Sequence, residues 1–168
     1  MPIEKCIWGK FKMAKNIVIS PYSRKVREDQ GGNAKNYPFF KEVVAGLRSK
    51  NYSIIQVGIS GEEKIEGVVR CAFDLPFNDL SNLIRRNELW ISVDNMIQHL
   101  GAFLKKPGIA LWGKSSPDIF GYDENINLLK DIKYLREDQF DVWFNEPLNT
   151  KVFVDPQVVL SEVERFFL

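Results

Sequence analysis

The 168 residues carry 23 basic and 22 acidic side chains, a net charge of +1, with 45% apolar and 27% charged residues. That is enough chain for one hydrophobic core, of ordinary globular composition, which excludes general disorder; the charge balance lacks the basic excess of a nonspecific nucleic-acid binder. No apolar run approaches the roughly 20 residues needed to span a bilayer, and Met1 to Lys15 lacks a signal-peptide core. The expectation is a cytoplasmic chain with Cys6 and Cys71 as free thiols, since neither sits at a metal-ligand or disulfide-framework spacing.

In chain order, Asn16 to Ser20 (NIVIS) predicts a buried strand, and Phe39 to Leu47 (FFKEVVAGL) a helix with Pro38 in its first turn. Ser53 to Val57 is the next strand, ended by Gly58 and Gly61, with a helix expected to start near Glu62. Leu80 to Arg86 predicts a short helix capped by Asn78 or Asp79. Leu89 to Val93 is a strand, Met96 to Leu104 a helix, and Gly108 to Trp112 a strand introduced by the helix stop at Lys105 to Gly108. Asn127 to Leu129 is a last short strand, and Asp131 to Thr150 is expected to be mostly loop with some helix. Asp155-Pro156 opens a C-terminal helix over about 156–167. Strands alternating with helices and no linker predict a single α/β domain over 1–168, Rossmann-like, with a mostly parallel sheet flanked by helices.

Parallel sheets bind ligands beyond the carboxyl ends of their strands. Three such ends carry chemistry here. The loop from Pro21 to Tyr37 holds Ser23, Arg24, Lys25, Arg27 and Lys35, and reads either as a phosphate-binding segment or as a solvated basic loop. Gly58 to Glu63 offers Glu62 and Glu63 either to ribose hydroxyls or to the N-terminus of the expected helix. Val93-Asp94-Asn95-Met96-Ile97-Gln98-His99 runs from a strand into a helix with a capping residue and the chain's one histidine; it reads either as an anion site or as a cap with a helix histidine.

The order of these pieces resembles the C-terminal domain of glycosyltransferase family 9, the ADP-heptose:lipopolysaccharide heptosyltransferases, which is one half of a GT-B fold. The matching segments are Ile19 to Ser23, Lys35 to Pro38, Gly58 to Glu63, Asp94 to Ala102 against a D-[ST]-G-x-x-H-L-A-A motif, and Lys106 to Gly113, over about residues 16–122. The resemblance implies that a nucleotide-diphosphate sugar donor is held by Ser23, Arg24, Lys25, Lys35, Asp94, Asn95, Met96 and His99, with Glu62 and Glu63 on the nucleotide. It implies a metal-independent reaction without a cofactor, His99 as a phosphate-binding group, and a catalytic base outside this domain. Two positions depart from the motif: Asn95 and Met96 stand where the family has Ser or Thr and then Gly, and Met96 is expected to narrow the donor pocket. About 15 residues precede the first strand, so the acceptor-binding half and its base are expected to be lacking. Alternatives left open are a non-catalytic nucleotide or nucleotide-sugar binding module or subunit of a complex, and a scaffold without a site. The expected partners are the nucleotide-sugar and either a second copy or a separate acceptor-domain subunit, with Trp8, Phe11, Trp143 and Phe144 serving as contact or as core.

Overall fold

A computed structural model describes residues 15–24, 33–141 and 147–168. Cys6, Trp8, Phe11, Lys25, Arg27, Trp143 and Phe144 lie outside them; Cys71 is a free thiol. Six strands form one sheet: β1 (Asn16–Ser20), β2 (Ser53–Gly58), β3 (Arg70–Phe73), β4 (Leu89–Val93), β5 (Ile109–Trp112) and β6 (Ile126–Leu129). Their order is β3-β2-β1-β4-β5-β6, and every neighbouring pair is parallel. The sheet is thus wholly parallel rather than mostly so. Its order reverses between β1 and β4, which opens a crevice at their carboxyl ends.

Helices α1 (Phe40–Ser49) and α5 (Pro156–Phe166) pack together on one face of the sheet. Ile17, Ile19, Leu89, Ile91 and Val93 meet Val43, Val44, Leu47, Val159 and Val163 there. The opposite face carries α2 (Phe77–Arg86) and α3 (Met96–Phe103), which bury Leu80, Ile84, Ile97 and Leu100 against Val18, Trp90, Ala110 and Trp112. This two-sided burial explains the short, nearly continuous apolar runs of the central strands. Trp90 fixes how closely α3 can approach. Its indole lies against Gly101, where a Cβ would fall 2.5 Å from the ring nitrogen, and that nitrogen donates to the Lys106 carbonyl at 2.7 Å.

The expected helix near Glu62 is absent. Residues 59–69 form turns instead, with Gly61 and Gly67 both at φ 92°, and lead into β3, a strand the sequence reading missed. Gln56 decides this. Fully buried, it donates to the Glu63 carbonyl at 2.8 Å and accepts from the Ile65 amide at 2.9 Å, so it satisfies the backbone groups a helix would otherwise pair. The second helix begins at Phe77 after an extended Pro76, so neither Asn78 nor Asp79 is its cap. Pro38 lies just ahead of α1, whose N-cap position is Phe39. Asp155 occupies the N-cap position of α5 without a side-chain cap hydrogen bond. A short α4 (Pro117–Phe120) follows β5, and the expected loop from Asp131 to Thr150 includes 3₁₀ turns at Ile132–Tyr134 and Thr150–Val152.

Candidate functional site

The carboxyl ends of β1, β2, β3 and β4 surround a cavity of about 380 Å³. Val57, Ala72, Leu75, Leu80 and Ile97 make its walls apolar. Ser20, Tyr22, Ser23, Arg24, Glu62, Asp74, Asn95 and Met96 add polar and flexible groups. Five of the residues singled out in the sequence therefore line one cavity: Ser23, Arg24, Glu62, Asn95 and Met96.

The loop after β1 is held by asparagines. The Ser23 amide donates to Asn36 Oδ1 at 2.7 Å, and Asn33 donates to the Arg24 carbonyl at 2.8 Å while accepting from the Lys35 amide at 2.9 Å. Tyr37, in the Lys35 to Pro38 segment, is a core residue: its ring meets Phe39, Phe40 and Phe153 edge-on, and its hydroxyl donates to the Val154 carbonyl at 3.0 Å. Burial, with Asp155 and Glu42 nearby, holds that phenol well above its ordinary pKa.

Asn95 caps α3, its Oδ1 accepting from the Ile97 amide at 2.9 Å. The other end of the same side chain donates to Ser20 Oγ at 2.9 Å, to the Tyr22 carbonyl at 2.9 Å and more weakly to the Ser20 carbonyl at 3.3 Å. The amide expected to face a phosphate thus joins the loops after β1 and β4. Met96 is the first residue of α3, exposed at the cavity rim.

Behind this rim runs a chain of polar contacts. Lys35 Nζ lies 2.6 Å from Asp94 Oδ2, with the aspartate nearly buried. The Gln98 amide nitrogen reaches Asp94 Oδ1 at 3.5 Å, the Phe120 carbonyl at 3.0 Å and His99 Nε2 at 3.2 Å, and His99 Nδ1 lies 3.0 Å from the Tyr122 hydroxyl. A neutral imidazole with its proton on Nδ1 satisfies both contacts: Nε2 accepts from Gln98 and Nδ1–H donates to Tyr122. Lys35, Asp94 and His99 are thereby drawn together, but beside the cavity rather than on its wall.

The two glutamates separate. Glu63 is exposed and pairs with Lys41 at 2.8 Å, away from the cavity lining. Glu62 folds back over Gly58 at the end of β2, where a Cβ would collide with Oε2. That oxygen is buried and has no hydrogen-bond partner among the described residues. Burial raises the Glu62 pKa above the usual carboxylate value, with the Ile59 backbone pulling it down and Asp74 pushing it up. The Tyr22 hydroxyl is also raised, first by burial and then by Glu63 and Glu62.

Asp74 and Leu75 were missed because they follow β3, which was not expected; Leu80 was expected in a helix but not at the site. Asp74 sits at φ 53° and accepts from the Ser60 amide at 3.0 Å and from the Ser60 hydroxyl. These donors lower its pKa. Among the described residues, no three His, Cys, Asp or Glu side chains gather as a metal site, and no helix is long and apolar enough to cross a membrane.

A wholly parallel sheet with this strand order, helices on both faces and a cavity at its switch point is the Rossmann-like architecture found in one half of a GT-B glycosyltransferase. The sequence matches the model of glycosyltransferase family 9 (heptosyltransferase) over residues 9–141, and the chain belongs to that family. Its fold is similar to the ADP-heptose lps heptosyltransferase II of E. coli, with TM-score 0.63, 19% identity, 92% of this chain and 47% of that one covered. A glycosyl transferase family 9 structure from Veillonella parvula DSM 2008 gives 0.64, 17%, 92% and 47%. The E. coli heptosyltransferase WaaC with ADP gives 0.60, 16%, 91% and 44%. The chain therefore spans just under half the length of these proteins. No curated protein matches the sequence.

Proposed function

We propose that this chain binds the donor of a heptosyltransferase-type reaction, a nucleotide-diphosphate sugar, with the nucleoside in the cavity beyond β1 to β4. The observation carrying this reading is the buried, unpartnered Oε2 of Glu62 in an apolar-walled cavity. A carboxylate so placed gains most from hydroxyl donors such as those of a ribose, while Val57, Ala72, Leu75 and Leu80 offer apolar contact to a base. Ser23 and Arg24 supply donors for phosphate at the rim. Lys35 sits behind it with Asp94, and Lys25 is carried by the resemblance alone. Cations beside the diphosphate would stabilise the negative charge that grows on it as the sugar departs. The structure of the E. coli heptosyltransferase WaaC with ADP supports the choice of an adenine nucleotide as the first ligand to try. The groups that bind the acceptor and take its proton are proposed to lie outside the residues described here.

A second reading, nucleotide binding without turnover, is favoured by one set of contacts. Asn95 and His99, both expected on phosphate, are engaged within the protein, and Met96 stands at the helix N-terminus where the family has glycine. Calorimetry and thermal shift with ADP, GDP, CDP, UDP and dTDP, and with their sugars, separate the readings. Saturation at about 100 times Kd stabilises by about 2.7 kcal/mol, a rise of roughly 5–10 °C for a chain of this size. Binding of the nucleotide-sugar with loss in both Glu62→Ala and His99→Ala supports the donor reading. Loss in Glu62→Ala alone, with the free diphosphate bound as tightly as its sugar, supports binding without turnover. No shift with any ligand at millimolar concentration rejects both.

A further inference from the structure

Helix α3 contains no charged residue, and part of its surface is open. Met96 is 54% exposed, Phe103 76% exposed, and His99 lies between them on the same side. The spacings of three and four residues make this a continuous stripe along the helix axis. Tyr122 extends it, its ring meeting His99 edge-on at 5.6 Å. A helix apolar on its buried side and also uncharged on its open side is the pattern of an element buried on both.

Charge on either side of the stripe is unequal. On the α2 side, Arg85 and Arg86 occupy the last turn of that helix, and Lys106 reaches the Arg85 carbonyl at 3.5 Å, with Lys105 exposed beside it. On the other side runs the segment from α4 to β6, tied to α3 by Gln98 to Phe120 and by Asn125 to the Gln98 carbonyl. Its exposed charges next to Tyr122 are Asp123 and Glu124. Both groups lie toward the amino-terminal edge of the sheet: Lys106 precedes β5, and the Ile126 amide after Glu124 bonds the Gly108 carbonyl. They are therefore level with each other across α3.

We propose that the α3 stripe is a self-association surface whose occupant is a second copy of this chain. A two-fold axis running along α3 sets the two helices parallel, Phe103 beside Phe103. It also lays the basic flank of each copy over the acidic flank of the other, twice per dimer. This self-complementarity is what selects a second copy over an unrelated partner. Met96 belongs both to the stripe and to the cavity lining, so the contact borders the mouth of the candidate site. The proposal is independent of the identity of the ligand.

Light scattering coupled to size exclusion and sedimentation, without added nucleotide, tests it. The wild-type chain is expected at twice its monomer mass at tens of micromolar. Phe103→Asp, an exposed change, is expected to give monomer with an unaltered far-ultraviolet spectrum and a melting temperature that no longer depends on protein concentration. K105E/K106E and D123K/E124K each place like charges across the interface and are expected to dissociate at least about tenfold more readily. Mixed in equal amounts they restore both charge contacts and form a heterodimer. Wild-type monomer at 100 µM overturns the proposal. So does a dimer that survives Phe103→Asp, or a mixture of the charge-reversed pair that stays monomeric.

Discussion

Under α1 and α5 the sheet presents Ile17, Ile19, Leu89, Ile91 and Val93; under α2 and α3 the same strands present Val18, Ser20, Trp90 and Ser92. The first face is closed mainly by apolar contact, and its buried polar groups, Gln56 and the Tyr37 hydroxyl, are each bonded to backbone. Gly46 lets α1 press so close to α5 that a Cβ there would fall 2.5 Å from Leu160. The second face is also tightly packed where Trp90 meets α3, yet toward its carboxyl end it admits buried polar atoms. Ser92 Oγ and Gln98 Oε1 have no hydrogen-bond partner there among the described residues. One face of a parallel sheet can thus anchor the fold with every buried polar group named on it paired, while the other carries polar groups left without partners.

Breaking the closed face should produce the largest effect on stability and the smallest on binding. Leu47 is fully buried between α1 and the sheet, and Leu47→Ala is expected to cost about 2–5 kcal/mol by cavity formation. Chemical denaturation would measure this, and calorimetry should find ADP affinity unchanged at a temperature where the variant is folded. On the other face, Gly101→Ala pushes α3 off the Trp90 indole and is expected to cost about 1–3 kcal/mol. Asn95→Ala should cost about 1–2 kcal/mol through loss of the α3 cap. Unlike Leu47→Ala, it also frees the loop after β1, so nucleotide affinity should fall with stability. Equal losses of affinity in Leu47→Ala and Asn95→Ala would erase the distinction between the faces.

This contrast also governs what could be read in the sequence. The central strands were legible because burial on both faces leaves short apolar runs, as in NIVIS and LWISV. Strand β3 was not, because an edge strand of four residues with one buried side chain, Ala72, has no such signature. The expected helix at Glu62 failed through Gln56, whose two hydrogen bonds to the chain beyond it depend on contacts no local pattern reveals. At the site, Ser23, Arg24, Glu62, Asn95 and Met96 were visible from their places at strand ends. Asp74 and Leu75 were hidden with β3. That Asn95 would spend its amide on Ser20 and Tyr22 follows from the β1–β4 register, where Ser20 pairs with Ser92, and no one-dimensional spacing contains that register.

Two substitutions of partnerless buried oxygens sharpen the contrast at smaller scale. Burial raises the folded-state pKa of Glu62, so the native state binds its proton more tightly than the unfolded chain. Stability from this group is greatest at acidic pH, below the unfolded value, and falls as pH rises through the raised folded value. At pH 7 Glu62→Gln is therefore expected to raise the melting temperature by roughly 1–3 °C, with the gain shrinking as pH falls through the raised folded value and gone below about 4. The proposed role of Glu62 predicts weaker ADP binding in the same variant, so calorimetry and thermal melts should move in opposite directions. Ser92→Ala is the smallest change. Its hydroxyl is fully buried in β4, without a partner, and sits between Ser20 and Ala110 in the strand register. Removing a buried polar atom that makes no hydrogen bond recovers its desolvation cost and gives up only its packing, so the expected stability change lies within about 0.5 kcal/mol of zero. A loss of 2 kcal/mol or more in denaturant melts would mean that Ser92 is hydrogen-bonded in solution. The open face would then be as fully satisfied as the closed one, its polarity a matter of structure rather than of the site.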